Sequence, residues 1–168
     1  PMVRSTGEHD AQITSPSRDA NGNPCGSPAE MDAKGDFVIV FNGEIYNYRD
    51  LRAQLEAEGW TFKKNSDTEV LLVAYLAWGE DMLDKLRGMF AFAIWDRAKH
   101  ELFCARDFFG IKPFYYTVID GQFIFASEIK SILEHPAYHR ELNREALAQY
   151  LCFQFSALEE TFFKGIFK

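Results

Sequence analysis

The sequence predicts an α+β domain, and three observations predict it. The strands in its second half come as adjacent pairs joined by short turns, so they run antiparallel. The helical segments stand in separate blocks instead of alternating with single strands, which argues against a parallel βαβ sheet. With 168 residues, 47% apolar and 26% charged, the chain is long and apolar enough to bury a core. No internal repeat is present.

Residues 1–36 are read as an irregular polar loop or insertion. They hold four of the six prolines and four of the eleven glycines and show no apolar periodicity. Phe37-Val38-Ile39-Val40-Phe41 is a continuous β-rich run that predicts a buried strand, ended by Asn42-Gly43. Asn47 is placed to cap a helix whose Tyr48, Leu51 and Leu55 share one face and which Gly59 closes. Ser66-x-x-Glu69 matches a capping box ahead of a helix apolar over much of its surface, and a short helix follows from Met82 to Leu86. Four strands are then expected: Met89 to Trp95, Glu101 to Ala105, Phe114 to Ile119 and Gln122 to Ala126. Asp120-Gly121 joins the last two in a type I′ turn. Phe90, Phe92, Trp95, Phe123 and Phe125 are assigned to the core. Ser127 is expected to cap a helix that runs to about Leu133 and ends at Pro136, and Asn143 to start a last one through Leu151.

Charge and cysteine usage exclude several function classes. A net charge of −7 with no Lys/Arg run argues against a nucleic-acid or anionic-membrane partner. The longest apolar run, Val70 to Trp78, falls well short of the roughly 18 residues that span a bilayer. Cys25, Cys104 and Cys152 are odd in number and far apart, with no C-x-x-C, which points to a reducing, cytoplasmic compartment. His135 and His139 are separated by a helix-breaking proline and have no third ligand near, so no metal site is expected. Neither a G-x-x-x-x-G-K-[ST] nor a G-x-G-x-x-G phosphate loop occurs.

Three stretches carry chemistry. Asn42-Gly43-Glu44 delivers a side-chain amide, an unhindered backbone N–H and a carboxylate in consecutive positions after a strand. An amide plus a backbone N–H is the donor pair an oxyanion hole requires; taken alone, an Asn-Gly turn is the simpler reading. Asp67 opens a helix, where it serves either the helix dipole or, together with Glu44, the ammonium of an amino acid. Arg106 to Pro113 reads as a shaped loop with an internal ion pair. Cys104, mid-strand, and Cys152, in a late helix, are read as buried apolar residues.

Together these segments resemble a known family. Phe41-Asn42-Gly43-Glu44-Ile45-Tyr46-Asn47-Tyr48, Ser66-Asp67-Thr68-Glu69 and Leu86-Arg87-Gly88-Met89-Phe90-Ala91-Phe92-Ala93-Ile94-Trp95-Asp96 resemble the glutaminase domain of glutamine-hydrolysing asparagine synthetases. Ala105-Arg106-Asp107 through Pro113, Phe125-Ala126-Ser127-Glu128-Ile129-Lys130 and Phe163-Lys164-Gly165-Ile166 continue the match in family order. The resemblance implies an N-terminal-nucleophile hydrolase fold, a four-layer αββα sandwich of antiparallel sheets between helices. It divides the chain into residues 1–36, a glutaminase-like core over 37–135 and a C-terminal helical segment over 136–168 that leads toward a synthetase domain.

In such enzymes an amino-terminal cysteine attacks the amide of glutamine, and the released ammonia passes to an ATP-dependent site that amidates aspartate. By motif, Asn42 and Gly43 resemble the oxyanion hole, and Glu44 and Asp67 resemble the groups that hold the α-amino end of glutamine. No cofactor is implied for this chain; ATP and magnesium belong to the synthetase domain. Glutamine and that domain are the expected partners, and a homodimer is compatible with the family. The family begins Cys-Gly-Ile whereas this sequence begins Pro1-Met2-Val3. The chain is therefore expected to be part of a longer polypeptide, to lack its N-terminal strands and nucleophilic cysteine, and to be inactive alone. Cys25-Gly26 imitates the family start but is followed by Ser27-Pro28 where a buried strand belongs, so Cys25 is rejected as nucleophile. Phe108 stands where the family has an arginine. The competing readings are another amidotransferase, β-lactam synthetase-like or amino-sugar forming, and a non-catalytic interaction module.

Overall fold

A computed structural model describes residues 3–5 and 37–168. They form an α+β structure whose strand pairings are all antiparallel, in two compact units divided between Ile111 and Lys112.

The first unit holds β1 (Val3–Ser5), β2 (Phe37–Ile45), α1 (Tyr48–Ala57), α2 (Asp67–Trp78), a 3-10 helix (Gly79–Lys85) where a short α-helix was expected, β3 (Gly88–Asp96) and β4 (Glu101–Arg106). Its sheet runs β1-β4-β3-β2. Strand β1 lies inside the segment read as loop: three residues carry too little pattern to announce a strand, and their pairing, Val3 with Cys104, comes from about a hundred residues away. The rest of the 1–36 segment, including Cys25, lies outside the described residues.

Strand β2 shows the two-residue period of a half-buried strand. Phe37, Ile39 and Phe41 pack against the core while Val38 and Val40 are exposed. It does not stop at Asn42-Gly43 but continues to Ile45, in register with β3 from Phe37–Asp96 to Ile45–Gly88. The reason is steric. Gly43 sits at φ 155°, and a Cβ there would lie 2.2 Å from the Met89 carbonyl oxygen; a Cβ on Gly88 would lie as close to that of Glu44. Two glycines, one on each strand and two positions apart along the ladder, let the strands approach where any side chain would force a turn or a bulge.

The core fills the space between this sheet and the helices. Leu51 and Leu55 of α1, one turn apart, are fully buried, as are Val70, Leu71 and Ala74 of α2, Met82 of the 3-10 helix and Phe92 and Ile94 of β3. Ser66 caps α2 as expected, its hydroxyl accepting from Glu69 N at 3.3 Å, but the capping box is half formed. The Glu69 carboxylate instead accepts from Lys63 N and Lys64 N at 2.8 and 2.7 Å. Phe90 and Phe92 are buried, whereas Trp95, of opposite strand parity, is half-buried with its ring edge against His100.

Cys104 of β4 is buried, and burial pushes its thiol up to about 12 from 9.0. Tyr75 is pushed up to about 12 by burial and then by the charges of Asp96, Glu101 and Glu80. Both groups keep in the folded chain a proton that the unfolded chain loses, so their stabilisation is complete below about pH 9 and disappears as pH rises toward 12. The melting temperature is expected to fall across that window, and Cys104→Ala to remove part of the fall. A melting temperature flat to pH 12 would contradict this.

The second unit holds β5 (Tyr115–Ile119), β6 (Gln122–Ala126), α3 (Ile129–Leu133) and α4 (Arg144–Phe153). Asp120 and Gly121 both take positive φ, 50° and 76°, as a type I′ turn requires. Glu128, not Ser127, occupies the N-cap of α3, whereas Asn143 caps α4 as expected, accepting from Glu145 N and Ala146 N at 3.1 and 3.0 Å. Phe167 returns to bridge Tyr116, and Leu142 bridges Phe163. Cys152 is exposed on α4, which corrects its assignment to the interior: α4 buries only Ala146.

Candidate active site

Asn42, Gly43 and Glu44 lie near the end of β2, an edge strand among the described residues. Alternation along the strand puts Asn42 and Glu44 on one face, with Asn42 half-buried and Glu44 exposed. Gly43 faces Phe90, and Phe90 spends its backbone on the β4 side: its N–H donates to Asp107 Oδ2 at 3.2 Å and its carbonyl accepts from Asp107 N at 2.8 Å. Antiparallel ladders alternate bonded and non-bonded pairs. The Gly43–Phe90 pair is therefore non-bonded, and the Gly43 N–H turns to the outer edge of β2. Ile45 has the same parity, and its N–H reaches Asp67 Oδ2 at 3.3 Å.

That bond brings the fourth residue to the site. Asp67 opens α2, and its second oxygen accepts from Thr68 N at 2.8 Å. The preceding loop is fastened by Glu69, as above, and by Arg52, which donates to Lys64 O at 3.0 Å and Asn65 Oδ1 at 3.2 Å. Asn42, Gly43, Glu44 and Asp67 are thus gathered at one end of β2. A backbone N–H and a half-buried side-chain amide lie beside two carboxylates, which suits a ligand with a carbonyl to polarise at one end and an ammonium at the other.

Three residues at this end were not assigned to the site in the sequence. Gly88 permits the close strand approach. Asp107, 3% exposed, accepts from Ile111 N at 2.9 Å as well as from Phe90 N. Asn47 begins α1 without a side-chain capping bond. Asn47 was read as a helix cap and Asp107 as part of an ion-paired loop, whereas the contact that Gly88 makes across to β2 has no local signal. In the Arg106–Pro113 loop, Arg106 donates to Gly110 O while Phe108 and Phe109 project into solvent. The buried Cys104 thiol, protonated at neutral pH, is unsuited to attack. Among the described residues no three His, Cys, Asp or Glu side chains gather as a metal site, and no helix is long and apolar enough to cross a membrane.

Residues 23–168 match the model of a family described as a glutamine amidotransferase domain. Asparagine synthetase [glutamine-hydrolyzing] 1 of Bacillus subtilis (strain 168) is 56% identical over 71% of the chain, and asparagine synthetase [glutamine-hydrolyzing] 3 of the same organism is 49% identical over 73%. The chain spans about a fifth of the length of these relatives, 19% and 20%. Among solved structures, glutamine phosphoribosylpyrophosphate amidotransferase from B. subtilis, complexed with ADP and GMP, superposes with a TM-score of 0.54 at 28% identity, over 63% of this chain and 25% of that one.

Proposed function

The chain belongs to the glutamine amidotransferase domain family, and on that footing we propose that it is part of the glutaminase domain of a glutamine-hydrolysing asparagine synthetase. In this reading glutamine lies along the outer edge of β2. Glu44 and Asp67 hold its α-ammonium, while the Asn42 amide and the Gly43 N–H donate to the oxygen of its side-chain carbonyl. A cysteine sulfur attacks that carbon, the carbonyl π pair moves to oxygen, and the oxyanion is stabilised where it forms. Its collapse expels ammonia and leaves a thioester, which water cleaves to glutamate and free thiol.

The observation that carries the reading is the shared edge: the Gly43 N–H and the Asp67-bound Ile45 N–H face the same side of β2. The attacking cysteine is in this reading an amino-terminal one outside the 168 residues, its own α-amine acting as base. In this reading ATP and magnesium belong to the synthetase portion that consumes the ammonia. A cytoplasmic location and a homodimer complete the proposal.

The test is ammonia release from glutamine, comparing the 168 residues with a chain extended upstream to its native start. Turnover is expected only in the extended chain and is abolished by changing its first cysteine. Turnover by the 168 residues themselves would reopen Cys25 as nucleophile. A folded extended chain that releases no ammonia would return the case to a non-catalytic module.

A further inference from the structure

Asn47 stands at the N-cap of α1, where an Asn side chain ordinarily accepts from the helix's first N–H groups. It makes no such bond. Its Nδ2 donates to Lys85 O at 2.9 Å, and its Oδ1 accepts from Arg87 N at 2.9 Å. Beside it, Tyr46 N donates to Arg87 O at 2.7 Å. The β2–β3 ladder ends as strand at the Ile45–Gly88 pair. Beyond that pair it is continued by one backbone hydrogen bond and one side-chain amide, which offers the same donor and acceptor as a peptide group.

We propose that Asn47 is a positioning residue for glutamine hydrolysis: its amide locks the segment Lys85–Arg87 and so fixes the end of β2 that presents Gly43 and Glu44. The proposal rests on the reading of Asn42, Gly43, Glu44 and Asp67 as the glutamine site. Arg87 is followed directly by Gly88, whose missing Cβ admits the Glu44 carbonyl, so the place of Arg87 sets how deeply Glu44 and Ile45 sit against β3. Asp67 holds Ile45 from the outer edge at 3.3 Å. Asn47 supplies the opposing restraint, and a donor N–H loses effect when its strand can shift by a fraction of an ångström.

The test uses Asn47→Ser and Asn47→Asp in the full-length enzyme. Both residues cap helices as well as Asn does. Ser cannot span to Lys85 and Arg87, and Asp keeps the acceptor for Arg87 N but loses the donor to Lys85 O. Both variants are expected to lower glutamine-dependent kcat/KM about tenfold. Product formation driven by added ammonium, which bypasses glutamine, should stay within about twofold. Full glutamine-dependent activity in both variants would show that the Asn47 amide is not needed to position the site, and an equal loss with glutamine and with ammonium would make it a general stabiliser; either overturns the proposal. Asn42→Ala and Asp67→Ala run in parallel: if they impair glutamine hydrolysis and the Asn47 variants do not, this proposal falls alone. If they leave it unchanged, the site reading falls with it.

Discussion

Replacing Asn42 by alanine in the full-length enzyme is expected to lower kcat for glutamine hydrolysis by about 10²- to 10³-fold, with KM little changed. The split follows from where the negative charge appears. In the proposed site the planar carbonyl of bound glutamine asks little of the Asn42 amide, whereas the tetrahedral oxyanion would ask for both it and the Gly43 N–H. An interaction stronger in the transition state than in the ground state shows in kcat. Asp67→Ala should differ in kind. An ammonium held equally in both states is uniform binding, so its loss raises KM. The measurement is steady-state ammonia release over a range of glutamine concentrations. A rise in KM alone for Asn42→Ala would move Asn42 from the oxyanion to the binding of the ground state.

The second large effect is on stability. Asp107→Ala is expected to cost about 2 kcal/mol, because it leaves the buried N–H of Phe90 and the part-buried N–H of Ile111 without their carboxylate acceptor. Strand β4 ends at Arg106, opposite Ala91, so the next residue of β3 meets no further strand on that side. The Asp107 carboxylate stands in for the missing carbonyl. Asp107→Asn keeps one acceptor oxygen and should cost less, about 1 kcal/mol. Urea unfolding decides it through a lower midpoint at unchanged slope. A loss for Asp107→Ala no larger than that for Asp107→Asn would show that the backbone of this turn holds itself.

The elements legible in the sequence are those decided within about four residues. Asp120-Gly121 made its turn, and Ser66 and Asn143 capped their helices, because donor and acceptor in each case sit on the same short segment. Asn42-Gly43 misled for the opposite reason. Whether that dipeptide turns or stays in a strand depends on Gly88, a glycine 45 residues on, and nothing local announces it. Asn47 looked like a cap because its partners, 38 and 40 residues away, do not appear in the local pattern. The chemistry of the candidate site was readable as residue types: an amide, a glycine and two carboxylates. Their convergence was not. The outward turn of the Gly43 N–H depends on strand register, and the approach of Asp67 depends on how α2 meets the end of β2.

The strand pairings also set a timetable. The β5–β6 hairpin closes across two residues and needs nothing from elsewhere in the chain, so it belongs to events of about 1–10 μs. Strands β2 and β3 meet across a stretch that holds two helices and a 3-10 helix. Strand β1 must find β4 across about a hundred residues. Loop-closure entropy falls due before those contacts repay it. The edge that presents Gly43 therefore carries a larger loop-closure cost than the hairpin, and the place to bind a ligand is the entropically expensive part of this fold.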